Sequence, residues 1–400
     1  MNRRQYLVAV GTAAVAGCAG QPTDVSCERR GGTEPMNVGT DGTITDPGGY
    51  WPTPTGPYDG TRSVRDPARF DTTPRPAWRR EVPDRGDVLL AGGRLYVTDD
   101  SYDPEQIVAL DPTDGRLLWE TPTPEFEAEV IAGPDRLYAV DAATMLVFDP
   151  ETRTTARPFS FEWKYDPAVI VAVDGDQVFF AGGDPRRLHA VVDGSSQWSV
   201  PISQGLKNNT GAAISDGVMY VTDYKRLRAI AVDTGEVLWE QSGSSFRGRH
   251  VSVQGDRLFL SGNGVAAVDA TTGEPRWRHP APPGRTVRAA VGRRQVFVRT
   301  QTVDGTGSRL FTYDHTDSTP IACGQLSPFV NNSDVVTDGD LQVTGGVIKN
   351  SDKMFVQARR PGEPLVWRIV RDGRYPVRLC AGRDALFLRY GSTLEAISLS

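Results

Sequence analysis

What this chain has little of narrows it quickly. Its 400 residues hold four cysteines, Cys18, Cys27, Cys323 and Cys380, and four histidines, His189, His250, His279 and His315. None of their spacings matches a metal-ligand set, so the histidines read as surface or turn residues. There is no glycine-rich phosphate loop and no nucleophile elbow. Carboxylates are plentiful but fall mostly in turns, where Asp serves local hydrogen bonds; an unmarked hydrolase pair among them stays open. No long stretch keeps the 3.6-residue apolar period of an amphipathic helix. The net charge is −6, and two units more negative without Arg3 and Arg4, which argues against nucleic acid as a partner.

What is present points to strands. With 38% apolar and 24% charged residues the chain can bury a substantial core. Its 42 glycines and 29 prolines, set between short apolar runs, predict an all-β protein of short strands and tight turns.

The first residues read as an address. "NRRQYLVAVGTAAVAGC" carries the pair Arg3 and Arg4 and then an apolar stretch too short to span a bilayer. Arg-Arg-x-Tyr-Leu resembles a twin-arginine export signal. "VAGC", Val15 to Cys18, resembles a lipobox, which would make Cys18 the lipidated first residue of the mature protein; the alternative is an ordinary cleaved signal. Two acyl chains, at about 0.8 kcal/mol per buried methylene, would hold the protein on a membrane without a spanning helix. The expected order is a signal peptide over 1–17, a Gly/Pro/Thr-rich tether over 18–76 and a folded domain over 77–400. Tyr50, Trp51 and Tyr58 suggest that the tether docks around 50–58, because free linkers rarely carry tryptophan.

From there the chain repeats itself. Strands that follow a Gly or Asp turn align at Leu95, Leu137, Val178, Val218, Leu258, Val296, Leu341 and Leu386, a period of about forty residues. Each unit has room for a short apolar strand, a turn, the aligned strand, a further strand, a DxxTG-like turn and a strand bearing tryptophan. That is one four-stranded propeller blade. The last unit lacks its outer strand, whereas "PAWRREV" around Trp78 precedes the first unit without partners. Residues 77–82 are therefore expected to complete blade eight and close an eight-bladed β-propeller, hiding the sheet edges of an open array.

The repeated phrase is fullest in "ALDPTDGRLLWE", with Ala109, Asp111, Gly115 and Trp119, and in "AVDATTGEPRWR", with Ala267, Asp269, Gly273 and Trp277. Blade four keeps Ala229, Gly235 and Trp239, blade three Gly194 and Trp198, and blade seven Gly362 and Trp367; blades two and six lack the tryptophan. On these residues, positions 77–400 resemble the pyrroloquinoline-quinone-type repeats of quinoprotein dehydrogenases and BamB-like lipoproteins. With its Trp-Pro lead-in the chain is most similar to exported lipoproteins of haloarchaea, cells with a single membrane. The resemblance implies that each tryptophan docks one blade on the next. A buried Trp removes roughly 150–250 Å² from water, on the order of 4–6 kcal/mol as an upper bound.

The resemblance also frames the enzyme alternative, a quinone-linked or sugar-acting oxidoreductase. The family's enzymes hold quinone beside a vicinal cysteine pair, with calcium on carboxylate and amide ligands. No two cysteines here are adjacent, so neither quinone nor calcium is expected. The expectation is a monomeric, lipid-anchored, extracytoplasmic binding or scaffolding module, touching a protein partner through the propeller face or blade edges and membrane lipid through Cys18.

Three smaller features stay open. Cys323 and Cys380 fall two blades apart and should not bridge, but Cys27 could reach Cys323; otherwise all three are free or buried thiols. Asn208 and Asn331 stand in glycosylation sequons, both on one face of the disk. The basic clusters "KRLR", Lys225 to Arg228, and Arg359–Arg360 could bind a partner carboxylate or be solvated faces.

Overall fold

The computed structural model describes residues 28–29, 34–53, 56–57, 60, 63 and 70–400, apart from 85, 99–105, 123–129, 142–143, 161–167, 184, 204–210, 224–225, 244–249, 263, 280–284, 302–307, 327–328, 331–334, 349 and 374–376. Among the described residues there are strands and turns and no helix. Eight antiparallel blades of four strands form an eight-bladed β-propeller.

Blade four shows how the repeat builds one unit. Its strands, from inside to outside, are Ala212–Ser215, Val218–Asp223, Arg226–Ala231 and Val237–Ser242. The second and third are buried along nearly their whole length, because a blade packs on a neighbour through each of its faces. They therefore read as continuous apolar runs. The outer strand alternates between exposed and half-buried positions, as an edge meeting water should.

The ring closes as the repeat count requires. Inner strands of successive blades are neighbours, and that of blade eight, Arg378–Ala381, lies against that of blade one, Val88–Ala91. Strand Arg75–Glu81 pairs antiparallel with Thr393–Ser398 and supplies the outer strand of blade eight, with Trp78 opposite Ala396. It starts two residues earlier than the sequence suggests.

Two outer edges carry more than the repeat explains. Glu28–Arg29 adds a parallel fifth strand to blade six along Pro320–Leu326. Met36 bridges Arg368 in the outer strand of blade seven, with hydrogen bonds of 2.9 Å in both directions. The core is accordingly a series of inter-blade clusters. One joins Tyr96, Ala109 and Trp119 of blade one to Leu137, Leu146 and Phe148 of blade two. The largest joins blades seven, eight and one and takes in Ile44, Trp51 and Phe70 from the lead-in.

Candidate functional site

The residues of the repeated phrase assemble at the joints between blades. Each tryptophan sits opposite a buried alanine of its own blade: Ala109 with Trp119, Ala190 with Trp198, Ala229 with Trp239, Ala267 with Trp277, Ala358 with Trp367 and Ala396 with Trp78. The pairing shifts register immediately after the alanine in all six. This bulge bends the outer strand.

The indole then crosses to the next blade. Trp78 donates to the Pro112 carbonyl of blade one at 3.1 Å, Trp198 to Val232 at 2.8 Å, Trp239 to Ala270 at 2.9 Å and Trp277 to His315 at 2.9 Å. Three residues beyond the acceptor stands Gly115, Gly235 or Gly273, at φ of 71° to 75°. A Cβ on Gly235 would lie 2.6 Å from the Trp198 ring, so this glycine supplies both a left-handed turn and room for the indole. Ser318, at φ 65°, holds the same place in blade six. In blade seven a Cβ on Gly362 would meet nothing; blade six has Ala322 at its bulge, opposite Thr312, instead of a tryptophan. Gly194 turns the third strand of blade three into the fourth.

The aspartates shape the turns. Asp111 Oδ1 accepts the Thr113 N–H at 2.9 Å, and Asp269 Oδ1 accepts those of Thr271 and Thr272 at 2.8 and 2.9 Å. A hydrogen bond from Arg276 and these backbone donors hold the Asp269 carboxyl down at about 2. Blades two and six keep this turn, through Asp149 and Asp314, although their tryptophans are gone. In blade two Phe159 reaches blade three instead, 5.2 Å from the Phe180 ring.

Trp119 is buried, at 7% exposure, with its ring 5.5 Å from Phe148 of blade two. Its N–H has no hydrogen-bond partner among the described residues. The chemistry of all these groups is packing, and no reacting pair is among them.

The lead-in is held on the inner strands of several blades. Thr45 and Asp46 donate backbone N–H groups to Asp384 in a blade-eight turn at 2.9 and 2.8 Å. Trp51 and Leu90, on the inner strand of blade one, exchange backbone hydrogen bonds of 2.7 and 2.9 Å. The Pro52 carbonyl takes the Ala132 N–H of blade two at 2.7 Å, and the Gly60 carbonyl takes the Ser252 hydroxyl of blade five at 2.7 Å. Ser63 bridges Thr337, on the inner strand of blade seven. Trp51 is 1% exposed and Phe70 is fully buried. A segment expected to be a tether partly docked around 50–58 thus also contacts the propeller at Glu28–Arg29, Met36, Thr45 and Asp46. It lacks a strand period because it pairs one or two residues at a time with several blades.

Each basic cluster has one arginine buried inside the fold. Arg228 is buried, with Nε 2.8 Å from Glu240, Asp223 3.6 Å away and the Pro201 carbonyl of blade three at 2.6 Å. Arg359 is buried and Arg360 pairs with Asp71 of the lead-in. Burial obliges the charges of Arg228 and Arg359 to find partners within the fold, whereas Arg226 and Arg360 keep 38% and 40% of their side chains exposed. His315 lies in a turn yet is buried.

Cys323 is disulfide-bonded and Cys380 is a free, fully buried thiol. The expected separation of these two holds, and the alternative of three free thiols is overturned. Arg3, Arg4, Cys18, Cys27, Asn208, Lys225 and Asn331 lie outside the described residues.

Among the described residues no three His, Cys, Asp or Glu side chains gather to hold a metal.

The family model of the outer membrane protein assembly factor BamB matches residues 68–164, 148–245 and 223–354. No curated protein matches. Among solved structures, the quinohemoprotein alcohol dehydrogenase ADHIIG from Pseudomonas putida HK5 is similar with a TM-score of 0.64 at 13% identity, over 88% of this chain and 80% of that one. BamB from Moraxella catarrhalis gives 0.56 at 12%, over 81% and 99%. The computationally designed Ika8 protein gives 0.59 at 13%, over 80% and 98%. At such identities the likeness shows the fold alone.

Proposed function

The chain belongs to the family of the outer membrane protein assembly factor BamB, and from that membership we propose that it is a membrane-anchored, extracytoplasmic binding or scaffolding propeller with no catalytic activity of its own. One observation carries this reading: the lead-in is held on the inner strands, with Trp51, Pro52, Gly60 and Ser63 bonded to those of blades one, two, five and seven. Contacts to several blades at once make the ring stiffer, which suits a binding module.

An assembly factor works through contacts with other proteins, and the rim of this propeller suits extended segments. Blades six and seven already take the chain's own Glu28–Arg29 and Met36 along their outer edges. On blade four the outer strand exposes Val237 and Leu238, apolar side chains that an added segment would cover. Anchoring would come from Cys18 after export directed by Arg3 and Arg4.

The competing reading is a quinone-linked oxidoreductase, the chemistry for which one structural neighbour, the quinohemoprotein alcohol dehydrogenase, is named. Titrating purified protein with pyrroloquinoline quinone and calcium separates the two. No binding is expected, and stoichiometric binding would overturn the non-catalytic reading. Replacing the anchor residue, Cys18→Ser, should release the protein into the medium; retention on membranes would sink the lipid anchor.

A further inference from the structure

We propose that Cys27 is the disulfide partner of Cys323, and that this bond clips the start of the mature chain to the rim of blade six. Cys323 is disulfide-bonded and buried in the outer strand Pro320–Leu326. Cys380 is free, which leaves Cys18, Cys27 or a second molecule as the partner.

The register of the added strand selects among them. Glu28 and Arg29 run parallel to the blade-six edge, opposite Gly324 and Gln325. Cys27 is bonded to Glu28 and Cys323 to Gly324, one peptide of about 3.80 Å between Cα atoms in each case, so the Glu28–Gly324 pairing leaves Cys27 within reach of Cys323. Neighbouring strands lie about 4.7–4.9 Å apart, within the Cα separation a disulfide spans. In a parallel pair, facing residues also project to the same side of the sheet, as the bond requires.

The bond forms as the two thiols give up two protons and two electrons to a disulfide oxidant by thiol–disulfide exchange. Burial pushes the Cys380 thiol well up, so this third cysteine stays out of the exchange.

The clip ties the strand Glu28–Arg29 to an exposed blade edge. It also changes what the lead-in can do, a consequence that rests on the proposed anchor at Cys18. From Cys18 to Cys27 is nine residues, at most about 31 Å of extended chain. The rim of blade six is then held close to the bilayer, and the long lead-in cannot serve as a swinging tether.

Peptide mapping of the full-length exported protein tests this. The protein is extracted without reductant, its free thiols are alkylated, and it is digested for mass spectrometry. The expected result is one cross-linked pair joining Cys27 to Cys323, with Cys380 alkylated. A bond from Cys323 to Cys18, to a second chain or to a small thiol would overturn the clip, as would alkylated Cys27. The Cys18 peptide reads the anchor separately: unlipidated Cys18 beside an intact Cys27–Cys323 pair removes the anchor and leaves the clip.

Discussion

The indole N–H of Trp367 donates to the carbonyl of Phe70 at 2.7 Å. At the other tryptophan joints with a bonded indole, the acceptor is a turn residue of the following blade. Blade eight has no such turn, because its fourth strand comes from the other end of the domain. The lead-in supplies the missing acceptor just before it enters that strand, so one stretch of chain both closes the ring and completes its last joint.

Phe70 is fully buried in the cluster that holds Trp367, Phe387 and Leu399. Phe70→Ala leaves the carbonyl in place and removes only the side chain. It should lower stability by about 3–5 kcal/mol, read by equilibrium denaturation. A change within about 0.5 kcal/mol would mean that the lead-in does not hold the closure.

Gly235 and Gly217 share a φ of 72°, and both lie in turns of blade four. A Cβ on Gly217 would meet nothing, whereas one on Gly235 would press on the Trp198 ring. Ala at either position costs about 1 kcal/mol for the backbone conformation. Gly235→Ala should cost about 1–3 kcal/mol beyond that. Equal costs in a denaturant titration would show that the turn glycine is there for its backbone alone.

Trp119 and Trp198 occupy the same place in blades one and three, but only Trp198 has an acceptor for its indole. Trp119→Ala should cost about 3–5 kcal/mol through lost packing. Changing each to Phe separates the hydrogen bond from the ring. Trp198→Phe removes the shorter of two hydrogen bonds to the Val232 carbonyl, leaving that from Gln177 at 3.3 Å, and should be the costlier of the two by about 1 kcal/mol. The reverse order in thermal unfolding would count against this account of the joint.

The ring was legible because its information is local and repeated. The second strand of each blade follows a turn at a forty-residue period, and the orphan strand around Trp78 could have only one home. The joints were legible in part: the glycine and tryptophan stand in a fixed phrase, but the alanine opposite the tryptophan shows its purpose only once the register is known. Ser318 and Phe70, which stand in for a turn glycine and for a turn carbonyl, carry no such phrase. The course of residues 36–63 was hidden for a different reason. Trp51, Gly60 and Ser63 pair with blades one, five and seven through isolated contacts, and a segment that serves several sheets keeps the period of none. The two basic clusters misled because the charge of Arg228 and Arg359 is visible in sequence and their burial is not.

His315 gives the fold a pH dependence of known sign. Its ring is 4.7 Å from Phe259 and its Nε2 is 3.2 Å from the Gln295 carbonyl. Burial depresses the imidazole to about 4, and the charge of Arg257 adds to the shift. In the unfolded chain the group takes its proton near 6.5. Above that pH both states are neutral, and the full contribution to stability is present. As pH falls from about 6.5 towards 4 only the unfolded chain binds a proton, so stability is lost across that window. The depressed aspartates, Asp269 among them, act below their ordinary value of 3.8 and leave this window clear. The loss assigned to His315 by pH 4.5 is about 2 kcal/mol. His189, depressed by burial as well, adds a loss of the same sign, so the comparison must be made against His315→Gln. Between pH 7 and 4.5 that variant should lose about 2 kcal/mol less than the parent protein in urea titrations. Parallel losses in the two would place the titrating group elsewhere.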